Sequence, residues 1–256
     1  MVRAGNELAA TGQGPRRADL GQVDGLDLHA QYYSDRTGGD FFDAVRVGPR
    51  VAFLLSDIAG DRQAADPIAA AMQEVFRARS AELFGAGDAN LMEGTEMLVQ
   101  AINLALVGAA SGGICFAPTL VGCYDAQLGV LAYINAGGQT IVLHDSDGAR
   151  PLLNASLPLG LTTHMTYEAS MQAFEPGARL LAVTKGVTLS RQGKVPFGPE
   201  RVLKALESAK DEPASGVCRA VLKAAHDFEK RRMQRLTPWR KHVPEDMTAL
   251  AMVRIA

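Results

Sequence analysis

The sequence is poor in cysteine and carries almost no net charge. Its 256 residues include only three cysteines, Cys115, Cys123 and Cys218, and no Cys-x-x-Cys pair. An odd number without that spacing argues against a disulfide framework or a zinc cage, and it predicts three buried free thiols in a cytoplasmic protein. The 26 basic and 28 acidic residues leave a formal net charge of −2, so the overall charge gives no indication of a nucleic-acid partner.

Long apolar runs are also missing. No run approaches the roughly 18 apolar residues of a membrane-spanning helix, so the sequence predicts no membrane segment. Residues 1–25 contain charged groups but no apolar core, which argues against a secretory signal there. We expect these residues to be a flexible tail or the stub of a linker, and residues 26–256 to form one domain. Gly-x-Ser-x-Gly and P-loop motifs are absent too, so neither a serine nucleophile of that type nor a P-loop nucleotide site is predicted.

Apolar periodicity divides the chain into runs of strands separated by pairs of helices. The strand-like segments are 26–33, 41–47, 51–58, 114–124, 130–135, 140–144, 165–174, 179–184 and 247–255. The helical segments are 65–83, 91–106, 199–209 and 214–232. Strands that follow one another, rather than alternating singly with helices, predict an α+β domain with antiparallel sheets. We therefore expect a sandwich flanked by helix pairs.

Acidic residues stand at the ends of several predicted strands. Asp40 and Asp43 open the second strand, Asp57 closes the third, and Glu245 and Asp246 precede the last. Carboxylate oxygens are the hard ligands that Mg²⁺ and Mn²⁺ prefer. An acidic residue beside glycine or at a strand end is also common turn chemistry. Taken singly, each of these residues therefore fits a metal ligand or a turn.

Seven short segments resemble, in order, the motifs of one phosphatase family. Thr37–Asp43 (TGGDFFD) is similar to the GGDFYD element of the SpoIIE-like branch of bacterial PPM-type protein phosphatases. The other six are Ser56–Asp61 (GD-V-x-GHG in the family), Asn135–Gly138 (NAGH), Leu159–Leu161 (LG), Phe174–Leu180 (L-x-PGD-x-L), Phe197–Val202 (FG-x-ERL) and Glu245–Thr248 (DD-x-T). The resemblance covers residues 26–256. It implies an αββα sandwich of two mainly antiparallel sheets, which agrees with the predicted element order.

The resemblance implies a two-metal protein serine/threonine phosphatase. In that family two Mg²⁺ or Mn²⁺ ions activate a water for in-line attack on phosphoserine or phosphothreonine. By position, Asp57 would bridge both metals, the Ile58 carbonyl would complete one of them, and Asp40 would hold a metal or its waters. Glu245 occupies the last ligand position, with Asp246 beside it. We expect these residues to share one small cleft at an edge of the sandwich. The implied partner is a phosphorylated signalling protein such as an anti-sigma-factor antagonist, and a homodimer is compatible with the sequence.

Three residues depart from the family pattern. Lys185 stands where the TDG turn has an aspartate ligand, Arg62 enters the glycine-rich turn, and Glu245 replaces an aspartate. A protonated ammonium cannot ligate a metal and repels one, so we expect at most one catalytic metal and reduced hydrolysis. The alternative is a pseudophosphatase, a non-catalytic regulatory module that binds a protein partner, in which Lys185 pairs with Asp57 and Glu245.

Two arginines are candidates for binding a substrate phosphate. Arg36 lies four residues before Asp40, where its guanidinium could reach a phosphate with two hydrogen bonds. Arg62 lies near a predicted helix start, which favours anions. The alternative for each is an exposed arginine of a turn. A basic run between Lys230 and Lys241 ends the last long helix, as a solvated helix end or as a docking patch for an acidic partner.

Overall fold

The structure, a computed structural model, describes residues 14–16, 18, 25–33, 37–110, 115–153, 155–233 and 246–255, with only the backbone of 230–233. Within these residues the chain forms twelve strands and five helices. The strands are β1 (Leu26–Tyr32), β2 (Gly38–Val47), β3 (Arg50–Asp61), β4 (Thr119–Asp125), β5 (Val130–Ala136), β6 (Thr140–Asp145), β7 (Gly148–Pro151), β8 (Ser170–Ala173), β9 (Arg179–Val183), β10 (Arg191–Gln192), β11 (Val195–Pro196) and β12 (Thr248–Arg254). The helices are α1 (Arg62–Phe84), α2 (Leu91–Ala109), α3 (Lys185–Leu189), α4 (Gly198–Ser208) and α5 (Ala214–Met233).

Two antiparallel sheets of five strands each form the centre of the fold. One sheet has the order β1-β12-β9-β6-β7 and is called sheet A here, and the other has the order β2-β3-β4-β5-β8 and is called sheet B. Helices α1 and α2 cover the outer face of sheet B, and α4 and α5 cover that of sheet A. The predicted α+β class and the αββα sandwich are therefore confirmed.

The apolar core lies in three layers, because both faces of each sheet are covered. Side chains alternate between the two faces of a strand, so β3 contributes to two layers at once. Phe53 and Leu55 face sheet A, whereas Ala52 and Leu54 face α1 and α2. A third layer lies between sheet A and its own helices. This double burial explains why β3 is almost continuously apolar.

The two sheets bring distant segments of the chain to one edge of the sandwich. In sheet B, β2 pairs with β3 so that Asp40 lies opposite Asp57. In sheet A, β9 is followed by Thr184 and α3, while β12 starts at Thr248. The backbone N–H of Thr184 donates to the Thr248 carbonyl at 3.0 Å, which aligns these two ends. The predicted site residues come from this edge.

Several local expectations need adjustment. The strand predicted over 165–174 is limited to β8, and the sequence patterns did not predict α3, β7 or the β10–β11 hairpin. Part of the predicted tail contacts the domain, since the Gln73 side-chain amide donates to the Arg16 carbonyl at 2.9 Å. The three cysteines are buried and free, as predicted. Among the described helices, none is long and apolar enough to cross a membrane.

Candidate active site

Asp40 is a buried carboxylate held from the opposite sheet. It is 1% exposed, and its Oδ2 accepts hydrogen bonds from the hydroxyls of Thr184 at 2.7 Å and Thr248 at 2.5 Å. Burial raises the pKa of Asp40 well above the ordinary aspartate value, and the nearby charge of Asp57 raises it further. The two hydroxyls act in the other direction and lower this pKa. Asp40 is thus a carboxyl for which a nearby cation would be strongly favourable.

A glycine allows the two acidic strands to approach closely. The pairing of β2 with β3 is irregular between Gly38 and Gly39, and Gly39 lies opposite Ile58. A Cβ atom added to Gly39 would lie 1.9 Å from the Ile58 carbonyl oxygen, so no other residue fits without moving the backbone. Directly opposed residues of antiparallel strands point to the same face. The next pair along the strands, Asp40 and Asp57, therefore has both side chains on one face.

Asp246 closes the site from the side of β12. Its Oδ1 accepts from the backbone N–H and the hydroxyl of Thr37, at 2.7 and 2.9 Å. Its Oδ2 accepts from the backbone N–H of Gly38 at 2.8 Å. Both carboxylate oxygens therefore bond to the segment that leads into β2. This arrangement ties the segment preceding β12 to the glycine turn beside Asp40.

These residues line a single cleft with a volume of about 520 Å³. Asp40, Asp57, Ile58 and Asp246 lie along it, and Lys185, at the start of α3, lines it as well. The remaining lining residues are Thr37, Gly38, Gly39, Ala59, Gly60, Asp61, Phe116, Pro118, Gly186 and Leu189. The structure thus brings four of the sequence-predicted positions and Lys185 together.

Of the two predicted phosphate-binding arginines, only Arg62 lies among the described residues. Arg62 is the first residue of α1 and does not belong to the described lining of the cleft. Its Nε lies 3.4 Å from Asp66, one helical turn further on. Arg36 and Glu245 lie outside the described residues, as does most of the basic run before Lys241. Their roles remain predictions.

Sequence reasoning missed the residues that hold the carboxylates. Thr37 and Thr248 stand inside recognised motifs, and Thr184 precedes Lys185 in the turn that departs from the family pattern. Only the packing of the two sheets decides which acidic group each hydroxyl meets. Asp61 also lines the cleft, and it caps α1 by accepting the N–H of Ala64 at 2.9 Å. The preference for aspartate before a helix start was a usable signal for this cap.

The oxygen donors of the cleft are of the type that binds a divalent cation. The carboxylates of Asp40 and Asp57 and the Ile58 carbonyl are of the hard type that Mg²⁺ and Mn²⁺ prefer. The charges of Asp57 and Asp246 raise the pKa of Asp40 by repulsion, and a bound cation would relieve that repulsion. Among the described residues, no three His, Cys, Asp or Glu side chains form a ready metal site. Lys185 offers no donor for a second cation while it is protonated.

The fold is that of known phosphatases. It is similar to the RsbU and RsbW domains of Rv1364c from Mycobacterium tuberculosis, with a TM-score of 0.70 and 21% identity over 91% of this chain and 60% of that one. The SiaA-PP2C domain of Pseudomonas aeruginosa gives a TM-score of 0.66 and 17% identity over 90% of this chain and 86% of that one. The catalytic domain of the phosphatase PstP, solved with two manganese ions, gives a TM-score of 0.58 and 16% identity over 90% of this chain and 100% of that one.

Sequence comparison identifies the family. Protein IcfG from Synechocystis sp. is 27% identical over 199 residues, which is 68% of this chain. The chain spans only 31% of the length of that relative. The model of the Stage II sporulation protein E (SpoIIE) family matches residues 48–254, which is most of the chain. The chain therefore belongs to the SpoIIE family and has the PPM-type phosphatase fold.

Proposed function

We propose that this chain is a protein serine/threonine phosphatase domain that acts on a phosphorylated signalling protein, with weaker hydrolysis than a two-metal enzyme. The observation that carries the proposal is the opposition of Asp40 and Asp57 in a cleft that Lys185 also lines. Membership of the SpoIIE family supports the type of reaction. The lysine in the cleft supports the reduced rate.

The acidic residues have the role of binding the cation and water. Asp40, Asp57 and the Ile58 carbonyl would hold one Mg²⁺ or Mn²⁺, and Glu245, with Asp246 beside it, would supply the further ligand position. A bound divalent ion lowers the pKa of a water and neutralises charge on a phosphoryl group. Asp40 accepts the hydroxyls of Thr184 and Thr248 on Oδ2, so that oxygen is already occupied by protein donors.

Lys185 opposes a second cation. Two unit charges 4 Å apart interact by about 4 kcal/mol at an effective dielectric constant near 20, and a divalent ion doubles that interaction. Desolvation offsets part of any such energy, but the sign stays repulsive. Position 185, which carries an acidic ligand in the SpoIIE family, therefore disfavours a metal ion in this chain. We propose occupancy by one ion at most.

The substrate is a phosphorylated regulatory protein, such as an anti-sigma-factor antagonist, in the cytoplasm. One structural neighbour, Rv1364c, has an RsbU domain and an RsbW domain, which favours a substrate from a regulatory system. Arg36 and Arg62 are the candidate phosphate contacts. Arg62 would have to exchange its contact with Asp66 for the phosphate.

The second candidate is a binding module without catalysis. The observation in its favour is again Lys185, because an ammonium group in the cleft offsets part of the charge of Asp40, Asp57 and Asp246 without any metal. Such a module would retain a phosphorylated partner and release it unchanged. The two candidates differ in one measurable property, which is turnover with Mn²⁺.

A charge-reversal experiment tests the proposal. We expect the wild-type chain to hydrolyse p-nitrophenyl phosphate slowly with Mn²⁺, and Lys185→Asp to raise both Mn²⁺ affinity and turnover, by about tenfold or more if one ligand is restored. Lys194→Asp is the matched control, because Lys194 is exposed and lies outside the described lining of the cleft.

Two results would decide against parts of this proposal. Brisk turnover of the wild type with two bound Mn²⁺, unchanged in Lys185→Asp, would show that Lys185 does not occupy a ligand position. No turnover in either variant, with retention of a phosphoserine protein, would favour the binding module.

A further inference from the structure

Two buried threonines connect the sheets at the site. Thr184 and Thr248 are both fully buried, and both hydroxyls donate to the same oxygen, Oδ2 of Asp40. The threonines also bond to each other, since the Thr248 N–H donates to the Thr184 hydroxyl at 3.1 Å. Thr184 returns a backbone hydrogen bond to the Thr248 carbonyl at 3.0 Å. These hydrogen bonds join Asp40, Thr184 and Thr248 in one closed network.

The network determines how the carboxylate is turned. Two donors on one oxygen restrict rotation of the Asp40 carboxylate, because any turn breaks both hydrogen bonds. Thr248 starts β12 of sheet A and Thr184 directly follows β9 of that sheet, so Oδ2 points across the interface between the sheets. Asp40 also lines the cleft, and Oδ1 is then the oxygen left to face it. Hydrogen bonds to a charged acceptor are among the stronger ones in proteins, so this orientation is well defined.

We propose that Thr184 and Thr248 are positioning residues for the cation site, which orient Asp40 so that Oδ1 is presented to a divalent ion. This inference rests on the proposed function, because it concerns the same cleft. Cation affinity then depends on the hydroxyls of Thr184 and Thr248, which do not contact the cation. A role limited to satisfying a buried carboxylate would affect only the stability of the fold.

Isosteric variants separate the two roles. Thr184→Val and Thr248→Val remove a hydroxyl with little change of shape, and Thr184→Ser and Thr248→Ser keep it. Mn²⁺ affinity of the full chain is measured by isothermal titration calorimetry, with folding checked by circular dichroism. We expect affinity to fall about tenfold in each valine variant, as for a lost hydrogen bond to a charged group, and to stay within about twofold in the serine variants.

A control variant isolates the general effect of losing a buried hydroxyl. Thr95 is fully buried in α2 and its hydroxyl donates to the Leu91 carbonyl at 2.7 Å. Thr95→Val should lower stability and leave Mn²⁺ affinity unchanged. If folded Thr184→Val and Thr248→Val bind Mn²⁺ as tightly as the wild type, the inference is wrong.

Two further outcomes are a valine variant that does not fold and a wild type that binds no Mn²⁺. If the valine variants do not fold, Thr248→Cys keeps a weak donor and should bind Mn²⁺ less tightly than Thr248→Ser; equal affinity would overturn the inference. If the wild type binds no Mn²⁺, the proposed one-metal function fails. The same threonine variants in the Lys185→Asp background then test the positioning role separately. If Lys185→Asp also binds no Mn²⁺, both the proposed function and the positioning role are overturned.

Discussion

Gly39 is the residue on which the geometry of the acidic pair most directly depends. A Cβ at this position would meet the Ile58 carbonyl oxygen at 1.9 Å, a backbone atom that cannot turn away. We expect Gly39→Ala to lower the free energy of unfolding by about 3 kcal/mol, at the upper end of overpacking costs. It should also weaken Mn²⁺ binding, because β2 must shift away from β3. Urea unfolding and calorimetry measure the two effects.

A second glycine provides the control for this prediction. A Cβ added to Gly87 would meet nothing within 4 Å, so Gly87→Ala should change the free energy of unfolding by less than about 0.5 kcal/mol. Equal stability of Gly39→Ala and Gly87→Ala would mean that β2 and β3 have room to separate.

Single residues show where sequence reasoning succeeds and where it stops. Asp40, Asp57 and Lys185 line one cleft, as the motifs predicted, because Asp40 lies opposite Asp57 across β2 and β3 and Lys185 opens α3 just after β9. Asp43 looked equivalent to Asp40 by sequence, yet it lies on the other face of β2, where Arg77 donates to it at 2.7 and 3.0 Å. Two positions three apart on a strand point to opposite faces, so strand alternation could have separated them. The bonds from Thr184 to Asp40 could not be predicted, since they depend on the packing of two sheets.

At the scale of elements, Arg50 joins a strand pair to the connection between α1 and α2. Its Nε donates to Asp125 at 2.7 Å, and its other nitrogens donate to the carbonyls of Phe84, Ala86 and Gly87. Arg50 and Asp125 are 5% and 1% exposed. The pair thus fixes the end of the β3–β4 ladder against the end of α1.

We expect Arg50→Met to lower the free energy of unfolding by about 3–5 kcal/mol, because Asp125 is left buried without its cation. Lys223→Met is the control, since Lys223 and Asp227 form an exposed pair with side chains 70% and 45% exposed. Its loss should cost less than about 1 kcal/mol. A small effect of Arg50→Met would mean that water or the Leu128 N–H satisfies Asp125.

The same pair predicts a dependence on pH. Burial acts to raise the pKa of Asp125, but the N–H groups of Leu128 and Gln127 and the Arg50 guanidinium outweigh it and lower the pKa below the ordinary value. A carboxyl with a lowered pKa stabilises the fold above its unfolded pKa, near 3.9. That contribution is lost as the pH falls through the lower folded pKa. Stability measured between pH 5 and pH 2 should therefore fall less steeply in Arg50→Met than in the wild type.

Elements were predictable in proportion to their length. The long helices and β3 have enough residues to show a period, whereas α3, with five residues, and β10 and β11, with two each, do not. β8 covers only part of the apolar segment 165–174, because only Ser170–Ala173 pairs with β5. α1 begins at Arg62 rather than at Ala65, since Asp61 caps it. Tertiary pairing and capping, rather than periodicity, set these limits.

At the scale of the whole molecule, cation binding should stabilise the fold. A ligand that binds only the folded state adds about 2.7 kcal/mol when its concentration is 100 times its dissociation constant. We expect Mn²⁺ to raise the thermal midpoint of the wild type, to raise it more in Lys185→Asp, and to leave Asp57→Asn unchanged. Differential scanning calorimetry with Mn²⁺ and then with EDTA measures this. Identical midpoints with and without Mn²⁺ in all three chains would remove the basis for a cation site.

The architecture was predictable because runs of strands and pairs of helices alternate along the chain, and two helix layers cover the outer faces of two packed sheets. The order of the strands within each sheet could not be predicted. β12 lies between β1 and β9 in sheet A, and no local pattern in residues 248–254 indicates a central position. Long-range pairing of that kind depends on the whole set of strands.

The network around Asp40 also affects the order in which parts of the fold form during synthesis. Thr248 lies 208 positions after Asp40 in the chain, and a ribosome synthesises the chain from its N-terminus. Until β12 has left the ribosome, sheet A lacks the strand between β1 and β9, and Asp40 lacks one of its two hydroxyl donors. A nascent chain can therefore form sheet B early, but it completes the acidic cleft only after β12 has been inserted. Sheet B can therefore fold before the acidic cleft is complete.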